Sequence, residues 1–252
     1  MLSRSLRFIF VLVACLGVTA VMAYSAKADG GRVQWHGLCI PAGKVSHLNP
    51  NSPLGKMMPQ AGMDRTSGGA VTVEFSPEEM MKAIPGWTGY VPDPNGGAKL
   101  QRWLVVGLSL ATPTNSGRLT NILRETYSLQ GPYKGAKVVE IGGSGLYRVQ
   151  STAEHGPLAD WSLLFIDPRA NQKPPVENVH KWYTGECIDG DQGQDLETSC
   201  EMNYSDQGFT FDLSLNGANI KYAREVDAFL SKKVREWRAA CKAKQQSHRG
   251  QD

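Results

Sequence analysis

Four cysteines constrain the fold of this 252-residue chain more than any other feature, because in an exported protein they are expected to form two disulfides. They are Cys39, Cys187, Cys200 and Cys241, while a fifth, Cys15, lies in the N-terminal leader described next. Four cysteines allow three connectivities. The short spacing of Cys187 and Cys200 around a polar stretch favours that local pair, which leaves Cys39 for Cys241. A zinc site is the alternative, but no pair has the Cys-x2-Cys spacing and no histidine follows close by.

Residues 1–28 have the three parts of a secretory signal peptide. Two arginines precede an apolar run from Phe8 to Ala23, and small residues close the segment at Ala28. We expect cleavage after Ala28, with 29–252 as the mature protein in the periplasm. The apolar run is shorter than the roughly 20 residues of a membrane-spanning helix, so no stable span is expected once the leader is removed. Three alternatives stay open: an uncleaved membrane anchor, cleavage after Val21-Met22-Ala23, and lipidation of Cys15.

Charge is distributed unevenly along the chain. The whole sequence has 27 Lys and Arg against 24 Asp and Glu, and loss of the leader removes three of the basic residues and none of the acidic ones. The predicted mature protein is therefore neutral, which argues against a nucleic acid partner, because phosphate contacts need a basic excess. One segment contains six carboxylates and no Lys or Arg: Glu186, Asp189, Asp191, Asp195, Glu197 and Glu201. The C-terminal segment is instead basic: Lys232, Lys233, Arg235, Arg238, Lys242, Lys244 and Arg249.

Hydrophobic periodicity predicts an α+β domain built on a mostly antiparallel sheet, with two or three helices. The strand patterns lie at 71–75, 103–111, 137–141, 146–151, 160–166, 201–204 and 209–215. The strand at 103–111 is expected to be buried on both faces. Residues 41–69 are expected to be irregular. We predict one domain over 29–252, and a subdivision near Gly131 stays open.

Three helices are predicted from capping and spacing. Ser76 has the features of an N-cap, with Pro77 in the first turn and Glu79 three residues after the cap. A second helix is expected between Gly117 and Leu129. The last helix is expected from about 220 to 244, because its apolar residues recur at helical spacing and form one amphipathic stripe. That stripe consists of Val226, Leu230, Val234, Trp237 and Cys241.

No segment has the spacing of a known catalytic motif. The run from Gly142 to Gly145 fits neither a nucleophile elbow nor a phosphate-binding loop, so we interpret it as a hairpin turn. A triad of Ser144, His155 and Asp160 assembled in space stays open as the catalytic alternative. We predict no catalytic residue, no cofactor and no metal.

The predicted binding residues are an acidic loop and two aromatic residues. The alternating carboxylates of this loop could offer oxygens to Ca²⁺, but their spacing is not that of an EF-hand, and a solvated contact loop for a basic partner is preferred. Trp and Tyr are favoured at protein interfaces. The basic face of the last helix is interpreted as solvated, with anionic lipid or an acidic protein as the alternative. The predicted binding set is Asp189, Asp191, Asp195, Glu197, Trp87 and Tyr90.

The C-terminal part of the chain also resembles a group of bacterial proteins. The resemblance depends on Trp161, Asp167-Pro168, a proline pair, the two cysteines around a polar loop, an alternating strand and Trp237 in a last helix. In these features it looks like small exported proteins encoded beside type VI secretion effectors, including periplasmic immunity proteins for lipase effectors. The resemblance covers about 90 residues. It implies a protein that binds and neutralises a toxin partner by occlusion.

The sequence therefore predicts an exported, non-enzymatic protein-binding module, with an immunity protein as its most specific form. An envelope hydrolase with an unrecognised active site is the alternative.

Overall fold

The computed structural model describes residues 31–46, 70–93, 96–111, 125–152, 160–170, 183–190 and 198–249. The expected leader, most of the segment 41–69 and most of the helix expected at 117–129 lie outside the described residues. The same is true of His155, Asp191, Asp195 and Glu197. The expectations for these residues stay predictions.

The described residues form a strand-rich α+β structure, which confirms the predicted fold class. Helix α1 spans Pro77–Ala83, helix α2 spans Ala223–Arg249, and residues 125–128 form a further helical turn. A 3₁₀ segment, Gly217–Tyr222, leads into α2. The strands in chain order are β1 (Arg32–Trp35), β2 (Leu38–Pro41), β3 (Ala70–Phe75), β4 (Tyr90–Val91), β5 (Leu100–Gln101), β6 (Leu104–Leu110), β7 (Lys137–Glu140), β8 (Tyr147–Gln150), β9 (Asp160–Leu164), β10 (Tyr183–Ile188), β11 (Ser199–Asp206) and β12 (Phe209–Asn216).

Eight of these strands form one antiparallel sheet in the order β3-β6-β12-β11-β10-β9-β8-β7. Strand β6 pairs with β12, so strands from both sides of Gly131 belong to the same sheet. Strands β1 and β2 form a separate hairpin, as do the short strands β4 and β5. The core lies between the large sheet and the elements that cover one of its sides.

The sheet has two different faces, because successive side chains of a strand point to opposite sides. In β12 the odd-numbered residues from Phe209 to Leu215 are buried, whereas Asp212 and Ser214 between them are exposed. The strand register places the residues of each face next to residues of the same face on the neighbouring strands. We call the apolar side the packed face; it includes Phe75, Val106, Phe211, Met202, Cys187 and Trp161. We call the other side the open face; it includes Asp160, Glu186, Ile188, Glu201, Asn203, Asp212 and Ser214.

The prediction that β6 is buried on both faces is wrong. Leu104, Val106 and Leu108 are buried on the packed face, but Val105 and Gly107 on the open face are only half-buried. The physical reason is that, among the described residues, no full second layer covers the open face of the central strands. A second, small cluster does cover this side near β7 to β9, where Tyr127 packs with residues of β8 and β9.

Helix α2 packs on the packed face through the apolar stripe that the sequence predicts. All five residues of the stripe are buried. The ring of Trp237 stacks on Phe75 at a centroid distance of 6.3 Å, and Phe229 meets the same Phe75 edge-on at 4.9 Å. The helix is therefore held by aromatic contacts with the edge strand β3.

Both predicted disulfides are confirmed. Cys39 on β2 bonds to Cys241 on α2, with 202 residues of separation and a Cα–Cα distance of 5.1 Å. Cys187 and Cys200 occupy directly opposite positions on β10 and β11. One bridge ties the N-terminal hairpin to the last helix, and the other closes the base of the β10–β11 connection.

Local signals also determine the start of α1, as predicted. The Ser76 hydroxyl accepts a hydrogen bond from the backbone N–H of Glu79 at 3.3 Å, and Pro77 occupies the first turn.

Two hairpin turns differ from the expectations, because one is shorter than expected and the other was not predicted. The β11–β12 turn is only Gln207-Gly208, and the unpredicted β1–β2 hairpin turns at His36-Gly37. Both pairs have positive φ angles, as a two-residue type I′ turn requires.

Candidate interaction surface

The open face of the sheet carries a row of carboxylates across four neighbouring strands. Glu186 on β10 and Glu201 on β11 lie directly opposite each other, and both are exposed. Asp160 on β9 and Asp212 on β12 are the diagonal neighbours of this pair and are exposed as well. Directly opposed side chains have Cβ atoms about 5 Å apart and diagonal ones about 7 to 8 Å apart. We call these four residues the acidic stripe.

Among the described residues, no Lys or Arg forms an ion pair with the acidic stripe. Strands β6 and β9 to β12 contain no Lys or Arg. Within the described part of the chain, neither Glu186 nor Glu201 forms an ion pair, while Asp212 accepts a hydrogen bond from the Asn203 amide. Like charges that face each other across two strands destabilise a sheet. Within the described part of the chain nothing offsets this repulsion, which a basic ligand would reduce.

An exposed apolar side chain lies within the acidic stripe. Ile188 is 45% exposed and is the direct cross-strand partner of Asp160 on one side and of Ser199 on the other. A large apolar group surrounded by polar and charged residues is the usual composition of a protein contact surface. The open face thus combines a contact point for apolar atoms with carboxylates that set orientation.

The predicted contact residue Asp189 has a different position from the acidic stripe. Its carboxylate accepts hydrogen bonds from both terminal nitrogens of Arg148, one at 2.9 Å, and from Trp161 Nε1 at 2.8 Å. The guanidinium of Arg148 in turn lies over the Trp161 ring at 4.7 Å. Burial raises the pKa of the Asp189 carboxyl, but the hydrogen bonds from Arg148 and Trp161 outweigh that effect, so the pKa lies below its usual range. Asp189 therefore anchors the start of the β10–β11 connection within the molecule.

The two predicted aromatic contact residues differ in exposure. Trp87 is only 6% exposed and belongs to the main core, so its ring is not on the surface. The reason is that its loop is held against the segment before α2, where Asn219 exchanges hydrogen bonds of 2.8 and 3.0 Å with the backbone of Thr88. Tyr90 is half-buried and donates its hydroxyl hydrogen to Glu78. Of the two, only Tyr90 has partial exposure, and its role in binding stays a prediction.

The catalytic alternative is only partly covered by the described structure. Ser144 lies in the β7–β8 turn, where its hydroxyl donates to the carbonyl of Ile141 at 2.5 Å and accepts from the N–H of Leu146 at 3.3 Å. Its hydroxyl is thus used by the turn that the sequence predicts. Asp160 is a member of the acidic stripe on β9, and His155 lies outside the described residues.

The basic residues of α2 lie on the other side of the molecule. Helix α2 covers the packed face, and its outward positions Lys232, Arg235 and Lys242 are exposed. Arg238 is instead drawn to the β11–β12 turn, where it donates to the carbonyl of Gln207 at 3.0 Å. Charge is therefore separated between an acidic open face and a basic helix.

No group of three or more His, Cys, Asp or Glu side chains in the described ranges is arranged to hold a metal ion. None of the helices in the same ranges has both the length and the apolar composition needed to cross a membrane.

Comparison with known proteins found no matching family model, no similar curated protein and no similar solved structure. The functional assignment therefore depends on the geometry of the chain itself.

The sequence pattern predicts a contact surface in the acidic segment, but not at the residues that form the acidic stripe. Glu186 and Glu201 are the two ends of that segment, and Asp160 enters the sequence analysis only as a member of a possible triad. The signal that could have found them is strand alternation: in each of β10, β11 and β12 the acidic residue lies between buried neighbours. The register that brings them together is not local and could not be read from the sequence.

Proposed function

We propose that this protein is an exported binding module that works in the periplasm and neutralises a basic protein partner by covering it with the open face. The observation that carries this proposal is the pair of directly opposed, exposed carboxylates Glu186 and Glu201, which form no ion pair within the described residues. Like charges that face each other across two strands repel, and a ligand that supplies positive charge would relieve that repulsion. Binding by occlusion requires no catalytic group from this chain.

Electrostatics gives this surface a defined role in association. A concentrated negative surface attracts a basic partner over several ångströms, raises the association rate and disfavours acidic competitors. Because the basic helix α2 lies on the opposite side of the sheet, the same attraction turns the open face, and not α2, toward a basic partner. Ile188 then provides the apolar contact that charges alone do not supply.

The two disulfides support the exported location, because such bonds persist in oxidising compartments. The resemblance of the C-terminal part to immunity proteins of type VI secretion effectors supports a secreted toxin, such as a lipase effector, as the partner class. In this proposal the toxin contributes the basic surface, and the chain described here blocks its access to substrate.

The test uses a matched pair of charge reversals. Glu201→Lys changes the acidic stripe, whereas Glu225→Lys makes the same change of charge at an exposed position of α2 on the other side of the sheet. The candidate partner to use is the protein encoded by the gene adjacent to the one for this chain, and the measurement is its association rate at two salt concentrations. We expect Glu201→Lys to slow association at least tenfold at low salt and Glu225→Lys to leave it within twofold.

Equal association rates for the two variants and the native protein would reject the open face as the contact surface. The enzyme alternative has a separate readout. If Ser144→Ala abolished protection of cells against the effector while the protein remained folded and bound, occlusion would be rejected in favour of catalysis.

A further inference from the structure

A cleft lies beside the core, on the side of the sheet opposite the acidic stripe. It has a volume of about 190 Å³ and is formed where the β1–β2 hairpin, the turn after β2, α1 and α2 meet. Its charged lining residues are Arg32, Lys44, Glu79, Lys233 and Glu236. The cleft takes no part in the function proposed above.

Cations outnumber carboxylates in this cleft. Glu79 is shared by two lysines, with Lys44 in direct contact and the Lys233 Nζ at 3.7 Å. Glu236 is also shared, because Lys233 lies 3.3 Å and Lys232 4.0 Å from its carboxylate. Of these cations, Lys44, Lys233 and Arg32 line the cleft together with the two carboxylates, which leaves a formal excess of one positive charge.

One of these cations, Lys44, lies over an aromatic floor. Phe75 and Trp237, which stack on each other, both line the cleft, and Lys44 lies 5.4 Å from the centre of the Phe75 ring. The side chains of Lys44 and Lys233 are only 29% and 23% exposed. Positive charge in a concave site with apolar walls produces a stronger potential than the same charge on a convex surface.

The walls of the cleft are also covalently linked. Cys39 and Cys241 join β2 to α2 directly beside the cleft, and Arg32 donates to the carbonyl of Cys39 at 3.2 Å. This bond uses one of the five N–H groups of the guanidinium. A site whose walls are fixed before binding loses less conformational entropy when a ligand enters.

We propose that this cleft binds a phosphate group, either as free phosphate or as a small phosphomonoester. The excess positive charge attracts an anion, and the planar fork of Arg32 is suited to two phosphate oxygens. The two carboxylates hold Lys44 and Lys233 in position and balance their formal charge, so the excess charge belongs to Arg32. A phosphate oxygen can then be bound by Arg32 together with Lys44 or Lys233.

The experiment measures binding of inorganic phosphate and of glycerol 3-phosphate to the disulfide-bonded mature protein by calorimetry, at constant ionic strength with chloride as the reference. We expect saturable binding of at least one of the two, and the tighter of them identifies the source. Arg32→Gln should weaken binding at least tenfold. The matched control Arg235→Gln removes the same charge from an exposed position of α2 and should leave binding within twofold.

A second readout is independent of the variants. The Trp237 indole N–H resonance of the native protein should shift on phosphate addition, with the same concentration dependence as the calorimetric signal. Absence of saturable binding of both ligands, or equal weakening by Arg32→Gln and Arg235→Gln, would overturn the proposal.

Discussion

The two faces of the eight-stranded sheet are built from the same strands and serve opposite purposes. The packed face is apolar, is covered by α2 and is closed by ring stacking between Phe75 and Trp237. The open face of the central strands is polar, is exposed and places Glu186 directly opposite Glu201. One face supplies the buried contacts of the core, and the other presents like charges that repel each other.

This difference shows how a strand pattern of period two can separate folding from recognition. Substitutions on the packed face remove buried contacts and change stability. Substitutions on the open face change charge without disturbing the core, because the side chains there point into solvent. We therefore expect substitutions on the packed face to lower the free energy of unfolding, and removal of a charge on the open face to raise it.

The largest loss of stability is expected on removal of the disulfide that links α2 to β2 over the packed face. Replacing Cys39 and Cys241 together with Ala should lower the free energy of unfolding by about 5 kcal/mol, because the bridge closes a long loop in the unfolded chain. Replacing Cys187 and Cys200 with Ala should lower it by only about 3 kcal/mol, since that loop is short. Urea unfolding without reductant measures both. A larger loss from the short-loop pair would contradict this ranking.

A slightly smaller effect is expected from the aromatic stack itself. Trp237→Ala removes a buried ring from contact with Phe75 and should lower the free energy of unfolding by about 4 kcal/mol. Lys232→Ala is the control on the same helix, because this side chain is exposed; its effect should stay within about 0.5 kcal/mol. Thermal melts followed by circular dichroism compare the two. Similar melting temperatures would show that α2 is not fastened by this ring.

A moderate loss of stability is expected when Asp189, which anchors the start of the β10–β11 connection, is replaced. Asp189→Asn weakens the bonds to Arg148 and Trp161 and should lower the free energy of unfolding at pH 7 by about 1 to 2 kcal/mol, because the carboxylate is partly exposed. The pKa of Asp189 is lower in the folded protein than its usual value of 3.8. Its contribution is therefore complete above that value and is lost as the pH falls through the folded pKa.

The same variant gives a test of this pH dependence. The difference in stability between the native protein and Asp189→Asn should be constant from pH 8 to pH 5 and should shrink in more acidic solution. Denaturant unfolding at several pH values measures this difference. A difference that stayed constant down to pH 2 would show that the ionised carboxylate is not what Arg148 and Trp161 stabilise.

The sequence was sufficient to predict the packed face because apolar periodicity is a local property. The stripe on α2, the N-cap at Ser76 and the alternation in β12 each depend on residues close together in the chain. Both disulfides could be predicted for a related reason, since the short spacing of one pair left only one partner for each remaining cysteine.

The open face could not be predicted in the same way, because it depends on strand register between distant segments. Asp189 and Glu186 are close in sequence, yet Asp189 turns to Arg148, 41 residues away, while Glu186 faces solvent opposite Glu201. Trp87 lies in a turn-rich segment, but hydrogen bonds between Thr88 and Asn219, 131 residues apart, hold that segment against the core. Such contacts are determined by tertiary structure and leave no short-range pattern.

The smallest predicted change in the free energy of unfolding is an increase, whereas the other substitutions are expected to lower it. Glu201→Gln removes one of two facing like charges and keeps the shape of the side chain, so it should raise the free energy of unfolding by about 0.5 kcal/mol. The gain should decrease at 1 M salt, because repulsion between exposed charges is screened there. Glu225→Gln on α2 is the matched control and should show no such gain. Chemical denaturation at two salt concentrations measures it, and a loss of stability in Glu201→Gln would mean that the open face is part of the folding core rather than a surface kept for a partner.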